Sequence, residues 1–181
     1  MDVVFGEVTK TESGEVFVPV HQGDGRPMFK QLNGVVVEDI CGDQITFNLQ
    51  GVDMSSYDDD LLGAAKENRK AWFGREVKDT VLEKSYRPAC ADGRLVTTTI
   101  KDADGNNRVK CFNSDKEPCE FDSIVEGTVC SVVIELKRIS MFKKTFEPEW
   151  FSVQVRTNPP PPPPDQPDPY DGYLFQDETD E

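Results

Sequence analysis

Six consecutive prolines, Pro159 to Pro164, set the outer limit of what this chain can fold. A proline run has no backbone N–H to give to a helix or a sheet, so it extends as a polyproline II rod. Pro167 and Pro169 prolong it, and past Arg156 there is no basic residue. Asp165, Asp168, Asp171, Asp177, Glu178, Asp180 and Glu181 supply seven of the 34 acidic residues, interleaved with Tyr170, Tyr173, Leu174 and Phe175. The sequence thus predicts a folded body over residues 1–157 and a disordered, proline-rich acidic tail over 158–181. A solubilising tag has no use for aromatics. The tail suits docking onto a basic groove, with Tyr170, Tyr173, Phe175, Asp177, Glu178, Asp180 and Glu181 as its partner-binding residues.

The body reads mainly as strands. Short Val-, Ile-, Thr- and Phe-rich runs recur at Val3–Val8, Glu15–Val20, Gly34–Val37, Ile45–Leu49, Leu95–Ile100, Asn107–Phe112, Thr128–Leu136 and Trp150–Arg156. Gly, Asp, Asn and Pro punctuate them, the pattern of an all-β sandwich or barrel. One helix is expected from Asp58-Asp59-Asp60, whose charge suits a helix start, through Leu61, Ala65 and Trp72 to a stop at Gly74. Trp72 and Phe73 would anchor that helix to one end of a barrel. Asp102 to Asn107 reads as a hairpin turn, and His21 as part of an exposed Gly/Asp-rich turn.

Several function classes find no support. No stretch approaches the roughly 18 apolar residues needed to cross a bilayer, and the start lacks a signal-peptide pattern, so an intracellular protein without a membrane partner is expected. Five cysteines without C-x-x-C spacing read as reduced thiols. A single histidine, no phosphate loop and no nucleophile elbow argue against an enzyme, a metal centre or a cofactor.

Charge distribution points to binding instead. The net charge of −14 hides two basic segments, residues 66–87 and 137–156. Side chains alternate between the faces of a strand with period two. Strict alternation puts Phe151, Val153 and Val155 on one face of the last strand, with Trp150, Ser152, Gln154 and Arg156 on the other. In the same way Arg108, Lys110 and Phe112 face away from Val109 and Cys111, while Cys130, Val132, Ile134 and Leu136 form a core face. Between the last two runs, Lys137-Arg138 and Lys143-Lys144 read as a cationic hairpin tip. Cations beside flat rings match single-stranded nucleic acid: the cations follow phosphates and each ring stacks a base. The candidate binding residues are therefore Arg108, Lys110, Phe112, Lys137, Arg138, Lys143, Lys144, Trp150 and Arg156. The rival reading is a structural or assembly β-sandwich whose acidic, proline-rich tail binds a basic partner.

Two motifs carry a family resemblance. Asn68-Arg69-Lys70-Ala71-Trp72-Phe73-Gly74-Arg75 with the downstream Tyr86 resembles the helix motif of a protein group of nucleocytoplasmic large DNA viruses. Val129 to Leu136, Ile139, Phe142, Phe146, Trp150, Gln154, Val155 and Arg156 resemble its C-terminal hairpin, with Ser140-Met141 and Glu147-Pro148 departing from the pattern. That group is similar to the replicative single-stranded DNA-binding proteins of short-tailed phages. The resemblance implies a mainly β fold: an oligonucleotide-binding (OB-like) barrel with one inserted helix and an acidic tail. It also implies sequence-independent single-stranded DNA binding in viral DNA replication, recombination or repair, in the host nucleus or a cytoplasmic viral factory. The tail would compete for the groove and recruit replication proteins such as a polymerase, helicase or primase. Oligomeric state stays open, a homodimer included.

Overall fold

The computed structural model describes residues 3–159. The tail residues Tyr170, Tyr173, Phe175, Asp177, Glu178, Asp180 and Glu181 lie outside that range. In chain order the elements are β1 (Val3–Phe5), β2 (Thr9–Lys10), β3 (Val16–Gln22), β4 (Met28–Cys41), β5 (Gln44–Asn48), α1 (Ser55–Glu67), α2 (Arg69–Phe73) and α3 (Asp79–Ser85). There follow β6 (Cys90–Ala91), β7 (Arg94–Thr99), β8 (Lys110–Phe112), β9 (Pro118–Cys119), β10 (Val129–Met141) and β11 (Phe146–Thr157).

Five of these strands close on themselves. β4 pairs with β5, β5 with β7, β7 with β11, β11 with β10, and β10 returns to β4. All contacts are antiparallel except β7–β11. This ring order, with one parallel closure, is the five-stranded Greek-key barrel of the oligonucleotide-binding fold. The fold is therefore the mainly β, OB-like barrel expected from the sequence. The N-terminal strands flank it, with β3 continuing the β10 edge beyond β4 through Arg138–Met141. Val35, Val37, Ile45, Phe47, Leu95, Cys130, Val132, Ile134 and Leu136 fill the interior with no exposed surface.

The insertion between β5 and β7 holds three helices where one was expected. The Asn68 amide and its side-chain Nδ2 both bond the Ala64 carbonyl (2.9 Å each), ending α1. The Trp72 amide then takes the Asn68 carbonyl, restarting the helix as α2. Gly74, at φ 67°, stops it as anticipated. Trp72 is buried, edge-on to Phe5 with ring centroids 5.3 Å apart, so the N-terminal strand and the insertion share one core. The Asp102 turn forms as read, its carboxylate accepting from the Asp104 and Asn106 amides. His21, expected in a loop, is the penultimate residue of β3, opposite Val4. All five cysteines are free thiols, and burial pushes Cys111 up to about 11 and Cys130 up to about 12.

Asp58 does more than favour a helix start. Its Oδ1 accepts from the Tyr86 hydroxyl (2.6 Å) and the Ala89 amide (2.8 Å), tying α1 to the end of α3. Burial raises its carboxyl above the ordinary value, with the two hydrogen bonds partly opposing. A raised carboxylate favours the folded state while protonated, so its contribution is full below about pH 4 and is lost as pH rises through the raised value. Asp58→Asn keeps the accepting Oδ1 without the charge, and is expected to gain stability over wild type at neutral pH but not in acid. Asp58→Ala orphans the Tyr86 hydroxyl and should cost about 1–3 kcal/mol. Urea denaturation at the two pH values checks both, and an Asn variant with the wild-type pH profile would remove Asp58 as the source.

Candidate nucleic-acid interface

The outer surface of β4, β10, β11 and β8 is built from cross-strand ladders. One runs Gln31–Val133–Gln154–Lys110 and the next Ser131–Arg156–Phe112, each residue directly opposite its neighbour. Residues paired in this way share a face and their side chains lie side by side. All of these except Lys110, together with Lys116 from the turn joining β8 to β9, line a groove of about 260 Å³, and Lys110 stands next to it opposite Gln154. A third ladder, Phe29–Glu135–Phe151, borders it. Phe29 is 47% exposed, and the Lys137 ammonium lies 5.1 Å from the centre of the Phe151 ring. Lys110, Lys137 and Arg156 are exposed and Phe112 is half-buried. The surface thus combines four cations, Lys110, Lys116, Lys137 and Arg156, with the accessible rings of Phe29 and Phe112 over the buried Phe151, two amide side chains and the laddered carboxylate Glu135.

Lys110 and Phe112 share one face of β8, as strand parity has it, and the pairing of β8 with β11 brings Arg156 beside them. Trp150 does not join them: it is 1% exposed, inside the barrel, with its ring 5.4 Å from Tyr57 in an edge contact. The assignment of Trp150 as a stacking platform is therefore corrected. A β-bulge reverses the parity. Gln154 pairs with Val133 and Ser152 with Ile134, leaving Val153 unpaired. Trp150 and Ser152 accordingly point inward with Val155, while Phe151, placed by alternation on the apolar face, lies on the side of Gln154 and Arg156 but stays buried, with Lys137 over its ring. A second bulge, at Lys137, lets both Leu136 and Ile139 be buried.

The remaining candidates are dispersed. Lys137 and Arg138 lie in β10, and the hairpin tip is only Phe142–Thr145. Arg138 is half-buried, paired with Glu149 and 3.8 Å from Glu15, with its guanidinium 4.9 Å from the Phe17 ring centre. The carboxylates raise its pKa and occupy its charge, so the expected phosphate contact has no free cation behind it. Arg108 stands beside Asp102, whose carboxyl is lowered first by the Asn106 amide and also by Arg108. Lys143 and Lys144 face the helical insertion, away from the ladders. Phe29, Gln31, Lys116 and Phe151 were missed. For Phe151 the signal was hidden by the bulge, while Phe29 lies in the part of β4 that the sequence runs did not extend to.

The opposite side of the ring has different chemistry. Oligonucleotide-binding barrels commonly use their second and third strands, here β5 and β7. Their outward residues are Gln44, Thr46, Asn48, Arg94, Val96 and Thr98. Arg94 is the one cation among them and is held by Glu38 through two bonds of 2.7 and 2.6 Å. Asp39, Asp43 and Asp92 are exposed nearby in sequence. That face has carboxylates at its margins and its cation already paired, whereas the β4–β10–β11–β8 face carries Lys110, Lys116, Lys137 and Arg156.

Residues 33–177 match the family of unknown function DUF5871. The chain belongs to this family. No curated protein matches the sequence of this DUF5871 member. Among solved structures it is similar to the single-stranded DNA-binding protein from bacteriophage Enc34 in C-terminally truncated form, with a TM-score of 0.50 at 13% identity over 90% of this chain and 97% of that one. The single-stranded DNA-binding protein from bacteriophage Enc34 is also similar at a TM-score of 0.48 and 13% identity, covering 85% and 89% of the two chains. Its complex with single-stranded DNA gives 0.48 and 14%, covering 88% and 97%. At such identity the likeness is one of fold. Among the described residues of this DUF5871 chain, no helix is long and apolar enough to cross a membrane.

Proposed function

We propose that this protein binds single-stranded DNA without sequence preference along the outer face of β4, β10, β11 and β8. The observation that carries the proposal is the in-register placement of Lys110, Phe112 and Arg156 beside an open groove. Lys110, Lys116 and Arg156 follow the phosphates. Phe112 and the exposed Phe29 offer flat surfaces on which any base stacks, and Gln31 and Gln154 supply adaptable hydrogen bonds. The fold likeness to a phage protein named for single-stranded DNA binding supports the same reading. A role in viral DNA replication, recombination or repair extends it, with the acidic tail recruiting a polymerase, helicase or primase.

A salt titration of the full-length protein with a fluorescent, unstructured oligonucleotide tests the reading. Affinity should fall linearly in log–log form, with a slope of about −0.7 per phosphate contacted, and should be similar for thymidine-rich and mixed sequences. Duplex DNA of equal length should compete weakly, because its bases are already stacked. Salt-independent or absent binding would reject the proposal.

A further inference from the structure

The hairpin tip that carries Lys143 and Lys144 closes a second cleft, separate from the groove and independent of the DNA-binding reading. It holds about 420 Å³ between the tip and the helical insertion. Its apolar wall includes Phe73, Val81 and Phe142, of which Val81 is 46% and Phe142 57% exposed. Arg75, Lys143 and Lys144 stand around it, all exposed. In contrast to Arg69, which bonds Asp79 at 2.8 Å, these three form no ion pair among the described residues. Two large apolar side chains left in solvent beside three uncompensated cations describe a docking surface for a segment that is both aromatic and acidic.

One segment of this sequence has that composition. Residues 170–181 contain Tyr170, Tyr173, Leu174 and Phe175 with five acidic residues and no basic one. The family match also runs on to residue 177, well past the last strand at Thr157. Reach is sufficient. β11 has 12 residues, so its two ends are about 40 Å apart, and its first end is the hairpin tip. The 17 residues from Pro159 to Phe175 span up to about 55 Å when extended. A chain leaving the far end of β11 therefore has length to return along the strand to the tip.

We infer that the acidic, aromatic segment 170–181 docks in the cleft between the hairpin tip and α2–α3, with its rings against Phe73, Val81 and Phe142 and its carboxylates facing Arg75, Lys143 and Lys144. This places the tail's seat away from Lys110, Phe112 and Arg156, so an occupied cleft and an occupied DNA groove are compatible.

Hydrogen exchange on the full-length protein tests this without DNA. The comparison is wild type against the full chain with Tyr170, Tyr173 and Phe175 all changed to Ala. Amides of α3 and of Phe142–Phe146 should exchange at least threefold faster in the variant, and wild type should approach the variant as salt is raised. The Lys143→Glu, Lys144→Glu double variant should reproduce the loss with an intact tail, and Lys110–Phe112 should exchange equally in all three. Unchanged exchange around the cleft would overturn the inference. So would a change confined to the β8–β11 groove, which would place the tail in the DNA site instead. A failed DNA titration leaves this result untouched, since the two experiments read different surfaces.

Discussion

Trp150→Ala is expected to destabilise the body by about 3–5 kcal/mol, the range for truncating a large buried aromatic side chain. The indole lies opposite Leu136 in the ladder and edge-on to Tyr57, so it joins the barrel wall to α1. Its removal opens a cavity at that junction. Trp150→Phe should cost much less. The Trp150 Nε1 is buried without a hydrogen-bond acceptor among the described residues, and phenylalanine removes that unpaired donor while keeping most of the ring. Denaturant unfolding followed by circular dichroism measures both. A Trp150→Ala protein with wild-type stability and weakened DNA binding would return the ring to the outer face and contradict the bulge at Val153.

The second large effect is on binding. Phe112→Ala should weaken single-stranded DNA affinity by about 1–3 kcal/mol, the usual loss for one base-stacking side chain. Phe112 is half-buried at the end of β8, so its stability cost should be smaller than that of Trp150. The Lys110→Ala, Arg156→Ala double variant acts differently. Two lost phosphate contacts should flatten the slope of log affinity against log salt by about 1.4, equally for all sequences. Arg138→Ala is the control: its guanidinium is occupied by Glu149, so the slope should stay unchanged even though stability falls. If Arg138 moves the slope and Arg156 does not, the binding path runs over the hairpin and not across the ladders.

The strands, the helical insertion and the hairpin were legible because each has a local cause. Hydrophobic period, Gly74 at a positive φ and the Asp102 turn act within a few residues. The same locality governs how the candidate residues were placed on their strands. Lys110 and Phe112 were placed correctly because β8 is three residues long and contains no irregularity. Trp150 and Phe151 were exchanged because a bulge leaves no mark in composition. It depends on the register against β10, which a reader of β11 alone does not have. Arg138 has a similar explanation. Its partner Glu149 is eleven residues away, and nothing in Lys137-Arg138 distinguishes the paired cation from the free one. The split of the helix at Asn68 arises from a side-chain amide reaching the Ala64 carbonyl, a competition that helical periodicity does not register.

The parallel contact that closes the ring has a kinetic meaning. β7 and β11 meet through only two register pairs, Phe151–Thr98 and Ser152–Thr99. Beside them, inside the barrel, the Thr97 and Ser152 hydroxyls bond at 2.7 Å across 55 residues of sequence. The β4–β5 and β10–β11 hairpins need only short loops to form, whereas this seam must first gather the whole segment between them. The seam is therefore expected to form after those hairpins and, being only two pairs long, to open readily. Ser152→Ala should raise the unfolding rate while leaving the folding rate nearly unchanged, the mark of a contact absent from the transition state. When it opens, Thr98–Thr99 of β7 and Phe151–Ser152 of β11 lose their partners, and each short unpaired stretch is a template on which a second chain can pair. The Thr97–Ser152 bond thus helps to keep covered the short stretches that strand exchange between copies would need.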